Sequence, residues 1–331
     1  MRQLRTLVIG VANRGNTWAE AVTAHARFDL RGIADIDPQV LAQRGAQYSI
    51  PDTRRHADYE QALRSRDYDL AVVAVPNHLH YPVAKAVLEA GVHCLLEKPF
   101  AETIVQAEEL VNLADSAQCI LQIVQNYRFK ERWQFIADFI RAQRLGHIAG
   151  VEASFHRYRP PRFQHEVEMS YPMLFLQAIH HLDWLVSVLP APIVAVLSRH
   201  RRVPWSEFRH PSICHLVLEC ADGVLVSYRG SYESRGQITP YDGLWRFEFE
   251  QGDLVVNEQQ EIWQITEQGA KREQLCESAQ ADKGDAALLD TLYAAITQGT
   301  EPPTSGRRNL RTLRLLFDVI AAGGDGQGRQ T

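Results

Sequence analysis

Apolar and polar positions over the first 125 residues follow two alternating rhythms. Short apolar runs at 6–11, 30–34, 70–75, 92–96 and 120–124 are separated by segments such as VAKAVLEAG and AEELVNLADSA. In those segments the apolar residues recur at helical spacing. Strands alternating with helices predict a parallel sheet covered on both faces. After about residue 126 the pattern changes. A helix over 131–141, a strand over 148–158, the loop RYRPPRFQ and a helix from 174 come first. Strands punctuated by turns follow: HLVLEC and VLVSYRG form a hairpin around ADG, and WRFEFE, DLVVN and EIWQIT come next. Helices near 285–298 and 306–322 close the chain, and GGDGQGRQT reads as a frayed tail. The second half therefore predicts an α+β domain on a mostly antiparallel sheet.

The helix from 174 carries three titratable groups inside an apolar run, LFLQAIHHLDWL. At about 100° per residue, Leu174, Phe175, Ala178, Ile179, Leu182, Leu185, Val186 and Leu189 share one stripe. His180 and Asp183 point the other way and, three apart, can touch. Such a pair on a helix is ordinarily a solvated surface feature. Only the rest of the chain can give it chemistry.

At 331 residues the chain exceeds the size at which a single core stops growing, so two domains are expected. Its charged fraction of 23% and formal net charge of −5 are ordinary for a globular protein. There is no basic tract for nucleic acid and no apolar run of the roughly 18 residues that a membrane helix needs. MRQLRTLVIGVANRG lacks the long apolar segment of a secretory signal. The five cysteines, Cys94, Cys119, Cys214, Cys220 and Cys276, are scattered without a CxxC. That usage predicts a reduced, cytoplasmic protein with no structural metal.

LVIGVANRGNTWAEAV sets Gly10 and Gly15 between a strand and a helix, with Asp35 ending the next strand. Glycines there permit a tight turn, the helix N-terminus faces a pyrophosphate, and the acid accepts hydrogen bonds from ribose hydroxyls. The middle glycine of GxGxxG is replaced by Ala12, which adds a methyl where the cofactor should approach. Ala12, Asn13 and Arg14 complete the loop. Asp35 repels a 2′-phosphate and favours NAD, while Arg14 leaves NADP open.

Residues 69–100, DLAVVAVPNHLHYPVAKAVLEAGVHCLLEKPF, carry a strand, a PNHLH loop, a helix and Glu97-Lys98-Pro99 at the end of another strand. This stretch resembles the glucose-fructose oxidoreductase and inositol dehydrogenase (Gfo/Idh/MocA) family. QNYRF at 125–129, HHLD at 180–183 and SGRRNLRTLRLLF at 305–317 agree with the same family pattern. The resemblance implies an N-terminal Rossmann domain over 1–125 and an α/β substrate and oligomerisation domain with an open sheet over 126–323, leaving 324–331 as a flexible tail. It also implies an NAD(P)-dependent hydride transfer on a sugar, cyclitol or related small molecule.

By that resemblance Lys98 would stabilise the reacting oxygen and His180 would be the acid/base. Both fit the chemistry: an ammonium at the carboxyl end of a parallel strand can bond a substrate oxygen, and imidazole titrates near neutrality. Lys98-Pro99 is a candidate cis peptide. Many family members carry an aspartate four residues before the histidine, where this chain has Leu176. Asp183 is then the expected partner of His180. Pro76, Asn77, His80 and Glu97 would border the cofactor, and Tyr127, Arg128, Tyr158 and His181 are candidates to meet substrate. His181 is as readily a core residue, and His78 is expected to be exposed. A homodimer or homotetramer is implied. Two other readings stand beside the dehydrogenase: a glycosidase using NAD for transient oxidation, and a non-catalytic dinucleotide sensor.

Overall fold

The computed structural model describes residues 2–276 and 284–323; the expected tail at 324–331 lies outside the described residues. Strands β1 (Leu4–Ile9), β2 (Phe28–Ala34), β3 (Arg55–His56), β4 (Leu70–Val73), β5 (His93–Leu96) and β6 (Leu121–Ile123) form one sheet. All its pairs are parallel, in the order β3-β2-β1-β4-β5-β6. Helices α1 (Asn13–Ala24), α2 (Pro38–Gln47), α3 (Tyr59–Arg64), α4 (His80–Glu89) and α5 (Ile104–Ser116) connect the strands. The order reverses between β1 and β4, which opens a crevice at the carboxyl ends of those strands. The alternating rhythm predicted this parallel sheet, and its order is the Rossmann arrangement that the resemblance implied.

The second sheet is mixed. Helix α6 (Glu131–Arg141), β7 (Ile148–His156), α7 (Gln164–Val167), α8 (Ile179–Val188), β8 (Ile193–Arg201), β9 (Ile213–Cys220) and β10 (Leu225–Ser231) come first. Strands β11 (Leu244–Phe249), β12 (Gly252–Val256), β13 (Ile262–Thr266) and β14 (Lys271–Cys276) follow. Their order is β14-β13-β12-β11-β7-β10-β9-β8, with only β7 and β10 parallel. Strict alternation along β9 buries Cys214, Leu216, Leu218 and Cys220 and exposes His215, Val217 and Glu219, as a sheet with one covered face requires. The covered face is aromatic: Trp133 of α6 lies 4.6 Å from Trp184 of α8 and 5.2 Å from Trp245 of β11, centroid to centroid.

Two further helices, α9 (Gly284–Gln298) and α10 (Gly306–Ala322), end the described chain. Leu288, Leu289, Leu292 and Tyr293 of α9 join the core formed by Leu4, Val8, Trp18, Val22, Leu70, Val72 and Leu95. Among the described residues the compact units are accordingly 2–129 with 284–313, and 130–276 with 314–323. A single break after residue 125 does not describe them. The apolar face of α9 is buried on the first sheet, and burying four such side chains outweighs sequence proximity.

Candidate active site

Gly10 follows β1 with φ +81°, and a Cβ there would stand 2.7 Å from the Ala74 carbonyl oxygen. Gly15 lies in the first turn of α1, where a Cβ would come within 1.7 Å of the Gly10 oxygen. No side chain fits at either position. Ala12, in place of the middle glycine, has φ −70°, so no positive φ demands a glycine there. Helix α1 begins without a side-chain cap and without an acid in its first turn. Its first N–H groups are therefore suited to an anion. The half-buried Asp35, just past β2, accepts the Val11 N–H at 2.8 Å and the Asp37 N–H at 3.0 Å. It braces the glycine turn, and each oxygen retains acceptor capacity for a ribose hydroxyl. The cradle fits a dinucleotide.

Arg14 has a different place from the one expected. Its Nε donates to Glu97 Oε1 at 2.7 Å, and its two terminal nitrogens donate to the two oxygens of Asp285 at 2.9 and 3.0 Å. The Trp18 indole donates to the same Glu97 oxygen at 2.8 Å, and Asn126 donates to Asp285. Burial works against the Arg14 charge, but Glu97 and Asp285 more than offset it, and its pKa is raised. Two carboxylates thus neutralise the cation that had left NADP open. Glu97 is 8% exposed and serves as the hub of this cluster. The sequence reading missed Asp285, because it arrives from α9, more than 270 residues beyond Arg14.

The cluster stands directly before Lys98, which is half-buried at the carboxyl end of β5, and the Lys98–Pro99 bond is cis as anticipated. Pro76 is exposed and Asn77 half-buried after β4; His78 is exposed. His80 is 1% exposed. Its Nδ1 lies 2.6 Å from the Pro99 oxygen and its Nε2 2.9 Å from the Val75 oxygen. It ties the loop after β4 to the Lys98-Pro99 turn. Burial lowers its pKa, although the Pro99 bond and Glu97 favour the charged ring. Tyr127 is buried in the helical turn Asn126–Phe129, and Arg128 donates to the Pro303 carbonyl at 3.2 Å.

In the second unit the expected uniform helix from 174 is interrupted. Leu174–Ala178 form a π turn, and the α-helix starts only at Ile179. A π turn adds a residue to the turn, so Leu176 no longer stands at α-helical spacing from His180. The apolar stripe itself persists, with Leu174, Ala178, Ile179, Leu182 and Leu185 all buried. His180 is half-buried, while Asp183 is 1% exposed and belongs to the interior, contrary to the outward face expected for it.

His181, a candidate to meet substrate, is 1% exposed in the aromatic core. Its Nδ1 is 2.9 Å from the Tyr228 hydroxyl, and its ring packs against Phe155 and Trp245. Burial depresses its pKa to about 4, with Asp242 acting in the other direction. It is a neutral core residue. Tyr158, by contrast, is at the surface, donating to Glu207 at 2.8 Å and accepting from Arg235 at 3.2 Å. Among the described residues no group of three or more His, Cys, Asp and Glu side chains is placed to hold a metal, and no helix is long and apolar enough to cross a membrane.

Residues 4–125 match the family described as oxidoreductase family, NAD-binding Rossmann fold (GFO_IDH_MocA). Residues 133–254 match the GFO/IDH/MocA C-terminal domain. The chain belongs to the Gfo/Idh/MocA family. It is an NAD-binding oxidoreductase by that family match, and the glycine cradle and Asp35 fit the cofactor. Over nearly its whole length it is similar to the uncharacterized protein y4oX of Sinorhizobium fredii, 23% identical over 96% of this chain and 92% of that one. Two solved structures share the fold at 18% identity. An oxidoreductase from Agrobacterium radiobacter, in complex with NAD+, L-tartaric acid and magnesium, superposes with a TM-score of 0.89, covering 98% of this chain and 97% of that one. An inositol dehydrogenase homolog from Azotobacter vinelandii, complexed with NADH and myo-inositol, gives 0.86 over 98% and 96%.

Proposed function

We propose that this protein transfers a hydride between NAD and a hydroxyl-bearing or carbonyl carbon of a sugar, cyclitol or related small molecule. The observation that carries the reading is Lys98 at the carboxyl end of β5, directly after a Glu97 fixed by Arg14 and Trp18. The myo-inositol bound by the Azotobacter homolog supports a polyhydroxylated substrate.

NAD, when bound, supplies the hydride acceptor. The Lys98 ammonium donates a hydrogen bond to the reacting oxygen and stabilises the charge that develops there. His180 takes the hydroxyl proton as the C–H bond breaks, and returns it in the reducing direction. Asp183, three residues along α8, is the residue proposed to position His180. Gly10, Asn13 and Gly15 cradle the pyrophosphate, Asp35 holds the ribose, and Pro76 and Asn77 border the cofactor. Arg14, Glu97 and His80 act on that site by holding its loops.

A homodimer or homotetramer in the cytoplasm completes the proposal. It is supported by the exposed Val194, Leu197, Val217 and Leu225 on the second sheet and by the thiols of Cys94, Cys119, Cys214 and Cys220, all free. The test is NADH absorbance on a panel of sugars, cyclitols and their keto forms. NADH formation with a polyol supports the reading. Release of free sugar without net NADH would favour the glycosidase, and NAD binding with no turnover would favour the sensor.

A further inference from the structure

The RYRPPRF loop leaves β7 with three arginines, of which only Arg159 has a carboxylate. Arg159 grips both oxygens of the buried Glu166 at 2.8 Å, and Glu166 also accepts the Arg162 backbone N–H at 2.7 Å. Arg157 and Arg162 instead converge on Tyr241. The Arg157 guanidinium lies 4.4 Å above the Tyr241 ring centroid and donates to the Thr239 carbonyl, while Arg162 Nη2 donates to the Tyr241 hydroxyl at 3.3 Å. Among the described residues neither guanidinium is paired with a carboxylate. The neighbouring acids are engaged elsewhere: Asp242 by Lys130 and Arg132, Glu207 by Tyr158, Glu233 by Ser206 and Ser212.

Two cations without counter-ions, five positions apart, are unusual on a chain whose net charge is −5. They are held rather than loose. Pro160 and Pro161 fix the backbone between them, Glu166 anchors the loop, the Tyr241 ring orients the Arg157 guanidinium, and the Tyr241 hydroxyl accepts from Arg162. Planar, preorganised guanidinium groups suit an oxyanion with two or three oxygens, and little entropy is lost when it binds. The patch adjoins the helix of His180: the Tyr241 carbonyl accepts from Gln177, in the π turn directly before α8, at 2.9 Å.

We infer that Arg157 and Arg162, with Tyr241 between them, bind an anionic group, a carboxylate or a phosphate monoester, carried by the polyhydroxylated substrate. The substrate class is thereby narrowed to acidic sugar derivatives. This inference rests on the proposed hydride transfer for its word "substrate", but its binding step can be measured separately.

The experiment is calorimetric titration of the NAD-loaded protein with D-glucuronate and D-glucose 6-phosphate beside D-glucose and myo-inositol, paired with NADH absorbance on the same four compounds. At least one acid should bind about tenfold or more tightly than D-glucose, and the preference should shrink as salt rises from about 50 to about 300 mM. The better acid identifies carboxylate or phosphate. R157Q/R162Q should raise the Kd of that acid about tenfold or more and leave D-glucose and NAD affinities unchanged; R162Q alone, at an exposed side chain, guards against misfolding of the double variant. Equal binding of acids and neutral sugars, no binding of either acid, or an acid Kd indifferent to both variants overturns the inference. NADH formed from neutral polyols without acid preference also overturns it while upholding hydride transfer. Arginine-dependent binding of an acid without any NADH upholds the inference and removes hydride transfer.

Discussion

In the first unit Gly10, Asp35 and Lys98 all stand where parallel strands end, whereas in the second His180 stands on a helix whose phase is reset by a π turn. Strand ends are fixed by topology. Once strands and helices alternate, the crevice lies at the carboxyl edge, and a residue just after a strand is placed there whatever the details of packing. A helix face depends on counting residues without error, and one extra residue in a turn moves every later side chain around the axis. The lesson is that functional positions are robust to read where a strand delivers them and fragile where a helix does.

The strongest way to break this comparison is to set His180 against His181. Loss of general acid/base catalysis costs about 10² to 10⁴ in rate. His180→Ala should fall in that range with NAD affinity unchanged. His181→Asn should keep most of kcat in whatever fraction stays folded, because its ring lies in the core against Phe155 and Trp245. Equal losses in kcat per folded molecule would mean that the phase assigned to α8 is wrong.

A second test sharpens the same contrast through pH. His181 has its pKa depressed to about 4 by burial, against about 6.5 in the unfolded chain. The unfolded state therefore binds more protons between these values, so stability is complete above about pH 6.5 and is lost as pH falls toward 4. For one group the loss is about 3 kcal/mol. His80 acts in the same direction. Denaturant unfolding from pH 7 to pH 4 should show this decline, and His181→Asn should flatten part of it. An unchanged slope in the variant would remove His181 from the account.

On the first unit, Asp35→Ala should weaken NAD by about 1.5 to 3 kcal/mol, the scale of charge-assisted hydrogen bonds. NADP should be affected less, since a 2′-phosphate gains from losing the acid. Calorimetry showing NADP preferred by the unaltered protein would overturn this reading.

Much of the first unit was legible because periodicity, glycine positions and the EKP stretch point to one arrangement. What was missed there, Asp285, comes from α9, whose apolar face rejoins a core formed mostly by the first 125 residues. No local pattern links Arg14 to it. In the second unit the strands were readable from alternation, and β9 keeps the expected pattern. The π turn left no signal in the hydrophobic stripe, since Leu174 and Ala178 at its two ends and Ile179 just after it are all buried. Asp183 was misread for a related reason: a carboxylate on an apolar helix suggests an outward face, and its burial follows only once α8 is covered by neighbouring elements.

The most direct measurement of hydride transfer at Lys98 is NADH formation, followed by absorbance, by the unaltered protein and by Lys98→Met with the best substrate from the panel. The account predicts turnover by the former and a loss of about 10² to 10³ in kcat for Lys98→Met, with NAD binding retained. A fully active Lys98→Met protein would contradict it.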